Sequence, residues 1–134
     1  MPAAAVALSP WTDLTNSGES WATNAKNDSL TWKESQTVFA GYYIGDNNAQ
    51  NPLISPLFGE LTGLPPMSIY AGGFESMLSD STRFAEKART AGVDVRLTIG
   101  DGLFHCYPAC APLFPEAADA RNDICDFIRQ HLEK

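Results

Sequence analysis

The sequence predicts an α/β fold in which three parallel strands are covered by helices. Short apolar runs occupy residues 3–8 (AAAVAL), 67–71 (MSIYA) and 93–99 (VDVRLTI). Turn residues close them, with Pro10 after the first and Gly72-Gly73 after the second. Helix-patterned segments fall between and after them, and the order strand, helix-bearing excursion, strand, helix, strand, helix is that of parallel βαβ units, whose crossovers are right-handed. The 134 residues, 44% hydrophobic and 19% charged, suit one domain with its own core and not a disordered chain.

Each element has a local reason. Residues 3–8 are continuously apolar and end at Ser9-Pro10, which predicts a strand buried on both faces. Residues 11–29 are polar, contain Trp11 and Trp21, and keep no period, which predicts a loop with one helical turn. Over residues 30–44, Leu30, Val38, Phe39, Tyr42 and Tyr43 follow helical spacing, and Gly45 is placed to cap. Residues 46–66 are loop, with four prolines; Asp46, Asn48 and Gln50 read as a polar turn, since they lack the Gly and terminal Glu of a calcium loop. After the second strand, Ser79 or Asp80 is expected to cap a helix reaching Ala91, with Phe84, Ala85 and Ala88 on one face and Gly92 at its end. Residues 93–99 alternate as a third strand, and residues 100–113 form a Gly- and Pro-punctuated loop. The last helix, residues 115–132, places Ala118, Arg121, Ile124, Cys125, Ile128 and Leu132 on one predicted sheet-facing stripe.

Charge and composition exclude several functions. Nine bases against 16 acids give a net charge of −7 with no Lys/Arg cluster, so neither nucleic acid nor an anionic membrane surface is an expected partner. No apolar run approaches the roughly 20 residues of a membrane span, and residues 3–8 are too short and lack the basic flank of a signal peptide. A soluble, cytoplasmic protein is expected, with Cys106, Cys110 and Cys125 as reduced thiols. His105, Cys106 and Cys110 lack a fourth zinc ligand, and Gly72-Gly73 is no dinucleotide fingerprint, so no metal or cofactor is expected. His131 reads as a surface residue near a helix end, and Asn27-Asp28-Ser29 as a glycosylation sequon without a secretory context.

In open parallel sheets, reactive groups collect beyond the carboxyl ends of the strands. Glu75 stands there in GGFESMLSD, and His105 in GDGLFHCYP. Neighbouring strands lie ~4.8 Å apart, so a carboxylate and an imidazole from adjacent loops can meet. In such a pair the carboxylate holds Nδ1–H and Nε2 takes a proton from a nucleophile. Spacing alone leaves a plainer alternative open, in which Glu75 is a solvated first-turn residue and His105 a hydrogen-bonded structural side chain.

The segments AAAVALSPWTDLT, NPLISPLFGELTGLPP, GGFESMLSDSTRFAEKARTAGVDVRL and DGLFHCYPACAPLFPEA, in this order, resemble the carboxyl-terminal half of the hormone-sensitive-lipase family of bacterial α/β-hydrolase esterases. The resemblance covers nearly the whole chain and implies a partial α/β-hydrolase fold, made of the last strands of the sheet. It further implies that Glu75 is the triad acid and His105 the triad base. Asp80 is the runner-up acid, better read as a helix cap; Trp11, Thr12 and Asp13 match a family segment whose role looks structural. Phe104, Cys106 and Tyr107 depart from the family's residues around the histidine. Neither a G-x-S-x-G nucleophile elbow nor an HGGG-type oxyanion motif occurs in the chain. The expectation is therefore a chain inert alone, which supplies acid and base for hydrolysis of small, short-chain esters once a nucleophile-bearing segment completes it. The alternative is a non-catalytic remnant that binds a small ligand or forms a homodimer. In the dimer, chains pair or exchange elements through the flat edge of strand 3–8, partly burying Trp11 and Trp21.

Overall fold

The computed structural model describes residues 2–132. Strand β1 (Ala5–Leu8) is followed by a short helix α1 (Ser20–Thr23), helix α2 (Lys33–Ile44) and a 3₁₀ turn (Pro56–Phe58). Strand β2 (Met67–Gly72), helix α3 (Leu78–Thr90), strand β3 (Val95–Gly100), a second 3₁₀ turn (Tyr107–Cys110) and helix α4 (Pro115–Leu132) complete it. The sheet runs β1-β2-β3, all parallel, with Leu8 beside Tyr70 and Gly72 beside Gly100. This is the predicted α/β arrangement.

The central strand carries the core. Ile69 and Ala71 of β2 are fully buried. On one face Ile69 joins Leu57, Leu61, Phe84, Ala85, Ala88 and Val95, so α3 buries the Phe84, Ala85 and Ala88 face that its spacing predicts. On the other face Tyr70 packs with Tyr107, Ala117 and Ala120 under α4. Gly92, at φ +82°, turns the chain from α3 toward β3. Among the described residues no helix is long and apolar enough to cross a membrane.

Several expectations shift. The first strand is shorter than 3–8 and only half-buried, because it lies at the edge of the sheet and not between neighbours. The third begins at Val95, leaving Val93 buried in the turn, and Ile99 is exposed on the opposite edge strand. Helix α2 forms where the spacing predicts it, but Val38, Phe39, Tyr42 and Tyr43 are exposed and Ala40 is its buried residue. Helix α4 is rotated from its predicted stripe and buries Ala117, Ala120 and Phe127. Small alanines let its backbone approach the sheet, while Phe127 fills the remaining gap beneath Arg96, whose guanidinium lies 5.3 Å from the ring centre. Ile128 and Leu132 instead line a groove of about 360 Å³ with Ala3, Ala4 and Val6, alongside β1. Asp80 does not cap α3, which starts at Leu78. Trp21 is buried by this chain itself, 6.4 Å from Trp11, so no partner is needed to cover it.

Candidate active site

Because β2 and β3 end in register at Gly72 and Gly100, the loops that follow leave the sheet side by side. They are then stitched together: Gly73 N–H donates to Gly100 O at 2.8 Å and Phe74 N–H to Leu103 O at 2.9 Å. Glu75 comes next and is fully buried. Its Oε2 accepts the Ser9 hydroxyl at 2.6 Å and the Gly72 N–H at 3.2 Å, and lies 3.6 Å from His105 Nδ1. The topology therefore brings the two predicted site residues together. The histidine side chain is 24% exposed, so the ring spans the boundary between the buried carboxyl and solvent.

The acid turn is anchored from below. Asn24 Nδ2 donates to the carbonyls of Gly73 and Glu75 at 3.0 and 2.9 Å. Ser20 Oγ donates to Ser76 O at 2.6 Å, and Ser76 N–H donates to Asp28 Oδ2 at 2.6 Å. Asp28 is thus a buried strut. None of Ser9, Asn24 or Asp28 stands out from sequence reasoning. The Ser9-Pro10 pair reads only as a strand stop, and a buried polar residue in a polar loop has no periodic signal.

Asp80, the runner-up acid, is spent elsewhere. Its Oδ1 accepts the amides of Thr12 and Asp13 at 2.9 and 2.8 Å, while Thr12 Oγ1 donates to the Asp80 carbonyl. Asp13 in turn accepts from Thr15 and Ser17 and pairs with Arg83 at 3.0 Å. Those hydrogen bonds outweigh burial and hold Asp13 below its ordinary range. The SPWTDLT segment is therefore bound as a structural brace. His131 Nδ1 donates to the Phe127 carbonyl at 2.7 Å, and its ring packs at a tilt against that of Phe127. Among the described residues no group of three or more His, Cys, Asp or Glu is placed to hold a metal ion.

Burial acts on both members of the pair. It pushes Glu75 up from 4.5 to about 7, against the opposing hydrogen bond from Ser9, and pulls His105 down from its ordinary 6.5, against the field of Asp28. Cys106 is also pushed up by burial, so its thiol is a poor thiolate source. A stability prediction follows from Glu75. Folded, it holds its proton to about 7, and unfolded only to 4.5. Between those values the native chain binds the extra proton, so the Glu75 contribution falls as pH rises, by about 3 kcal/mol in all. The depressed His105 gives the opposite slope below 6.5. Urea titrations of the chain and of Glu75→Gln isolate the first effect: the parent should lose stability relative to the variant from pH 4.5 to 7.

An acid and a histidine leaving neighbouring tips of a parallel sheet are the build of α/β-hydrolases. The profile described as the alpha/beta hydrolase fold matches residues 1–109. An esterase of Acinetobacter venetianus is 38% identical over 95% of this chain, and an acetyl-hydrolase of Streptomyces hygroscopicus 33% over 96%. The crystal structure of a mutant of the esterase E40 superposes with a TM-score of 0.95 at 42% identity over 98% of the chain. A hormone-sensitive lipase from a metagenome library gives 0.94 at 38% over 98%. The chain belongs to the alpha/beta hydrolase fold family, in its hormone-sensitive-lipase branch. It spans less than half the length of these relatives, 42% and 43% of the two sequences and 44% and 45% of the two structures.

Proposed function

We propose that the chain supplies the acid and the base of a serine carboxylesterase, with Glu75 and His105 acting on a serine hydroxyl contributed by a further segment. The observation that carries this reading is the approach of His105 Nδ1 to the buried Glu75 Oε2, 3.6 Å apart, with the ring partly open to solvent. A carboxyl group facing Nδ1 favours the tautomer protonated there and leaves the Nε2 lone pair for the nucleophile. As the serine oxygen bonds to the ester carbonyl carbon, Nε2 takes its proton. The imidazolium then forms beside Glu75, whose carboxylate stabilises it. Nε2 returns the proton to the departing alcohol oxygen, leaving an acyl-serine that water cleaves by the same exchange. Burial keeps His105 neutral near pH 7, the state a base requires.

The rest of the relatives' length, which this chain does not match, is the natural source of the serine and the oxyanion donors. The free edge of β1 is where a strand carrying them can join the sheet. Short-chain esters are the proposed substrates, supported by a relative called an acetyl-hydrolase and by a similar structure, EstE5, soaked with p-nitrophenyl butyrate. The test is complementation. The purified chain alone should hydrolyse p-nitrophenyl butyrate no faster than buffer, since loss of the nucleophile leaves little beyond residual binding effects. Co-expressed with the part of the Acinetobacter esterase that it does not match, it should hydrolyse the ester. Turnover by the pure chain that vanishes in His105→Ala would show that no second segment is needed.

The same free edge supports a second reading, in which β1 pairs with a second copy of the chain. Sedimentation at micromolar concentration should then show a dimer, and a well-folded monomer contradicts it.

A further inference from the structure

Ser9 directly follows β1, and its backbone is left-handed at φ +46°, where a residue with a Cβ carries a steric cost. Its side chain is buried. Its Oγ accepts the Cys106 N–H at 2.8 Å and donates to Glu75 Oε2 at 2.6 Å. A hydroxyl has one proton to give. With the Cys106 amide aimed at its oxygen, that proton is directed to the carboxylate. Cys106 is itself left-handed, at φ +56°, and follows His105 in the chain. One buried oxygen therefore joins the end of β1, the side chain of the acid and the loop that carries the histidine.

The geometry points to Ser9 as a positioning residue of the acid–histidine couple, its hydroxyl a committed donor that aims the Glu75 carboxyl at the His105 ring. The inference rests on the reading of Glu75 and His105 as acid and base. A hydrogen bond to the charged form of a carboxyl favours that form. Among the influences on Glu75, the Ser9 hydroxyl is the largest that opposes burial. It helps the carboxylate to be present when the imidazolium forms. The Gly72 N–H, at 3.2 Å, is the longer of the two donors to Oε2.

The test follows the Glu75 side-chain carboxyl by ¹³C NMR through a pH titration of the 134-residue chain, in the parent, Ser9→Ala and Ser9→Gly. Glycine accepts the left-handed angle without strain and lacks the hydroxyl. A framework role alone therefore leaves the Glu75 midpoint of Ser9→Gly where it stands in the parent. The expected result is a midpoint raised by about one pH unit in both variants. A folded Ser9→Gly chain with the parent midpoint overturns the inference, and so does a Ser9→Gly chain that fails to fold, since Ser9 would then be framework. Failure here is distinguishable from failure of the esterase reading, which is decided by whether the completed enzyme turns over ester.

Discussion

His105→Ala, placed in the chain after completion with the serine-bearing part of a relative, should lower kcat for p-nitrophenyl butyrate by about 10⁴- to 10⁶-fold. The loss is large because the serine hydroxyl is a weak nucleophile until a base removes its proton, and the imidazole serves both halves of the reaction. KM should change little, since the ring meets the reacting atoms more than the acyl chain. Among the described residues no neighbouring group is ready to take over. Cys106 turns its thiol to the Leu8 carbonyl at 3.5 Å, and Asp80 is held by the Thr12 and Asp13 amides. Stopped-flow and steady-state assays of the two completed enzymes check this, and a loss below tenfold would remove His105 from the base role.

The second large effect is on folding. In Gly72→Ala the new Cβ would stand 2.5 Å from the carbonyl oxygens of both Leu103 and Phe104. Both are backbone atoms of the loop that delivers His105, so neither can rotate away as a side-chain tip could. An inserted methyl in a packed core usually costs about 1–3 kcal/mol. Here the two clashes are with backbone, and the Phe74 amide to Leu103 carbonyl bond at 2.9 Å ties the same loop in place. A loss of about 4 kcal/mol is expected, enough to unfold much of a marginally stable domain. Urea unfolding should show the midpoint falling sharply. What remains folded should have a displaced His105 loop. Gly92→Ala is a fair comparison, since a Cβ there meets nothing within 4 Å and only its φ of +82° is penalised.

Much of this architecture is legible in the sequence, for identifiable reasons. Apolar runs ended by Gly or Pro mark the strands, because a strand needs continuous backbone pairing and those residues stop it. The parallel order then places Glu75 and His105 at adjacent strand tips, and their meeting follows from topology alone. The faces of α2 and α4 are not legible. Hydrophobicity favours Phe39, Tyr42 and Ile128, but the buried residues are the small Ala40 of α2 and Ala117 and Ala120 of α4, the last two packed on the sheet at Tyr70. Burial of β1 is misjudged because an apolar run does not say whether the strand is central or at an edge. Ser9 is invisible for another reason. Its partners lie 66 and 97 residues away in the chain, and only the folded sheet brings three loop ends onto one hydroxyl.

The proposed proton-handling couple of Glu75 and His105 is tested most directly by the ¹⁵N titration of the His105 ring in the parent and in Glu75→Gln. As Glu75 gives up its proton near pH 7, the ¹⁵N shifts of the neutral ring 3.6 Å away should move with it, giving a second inflection that Glu75→Gln lacks. A His105 ring that follows the same single titration curve in the parent and in a folded Glu75→Gln chain would contradict the pairing.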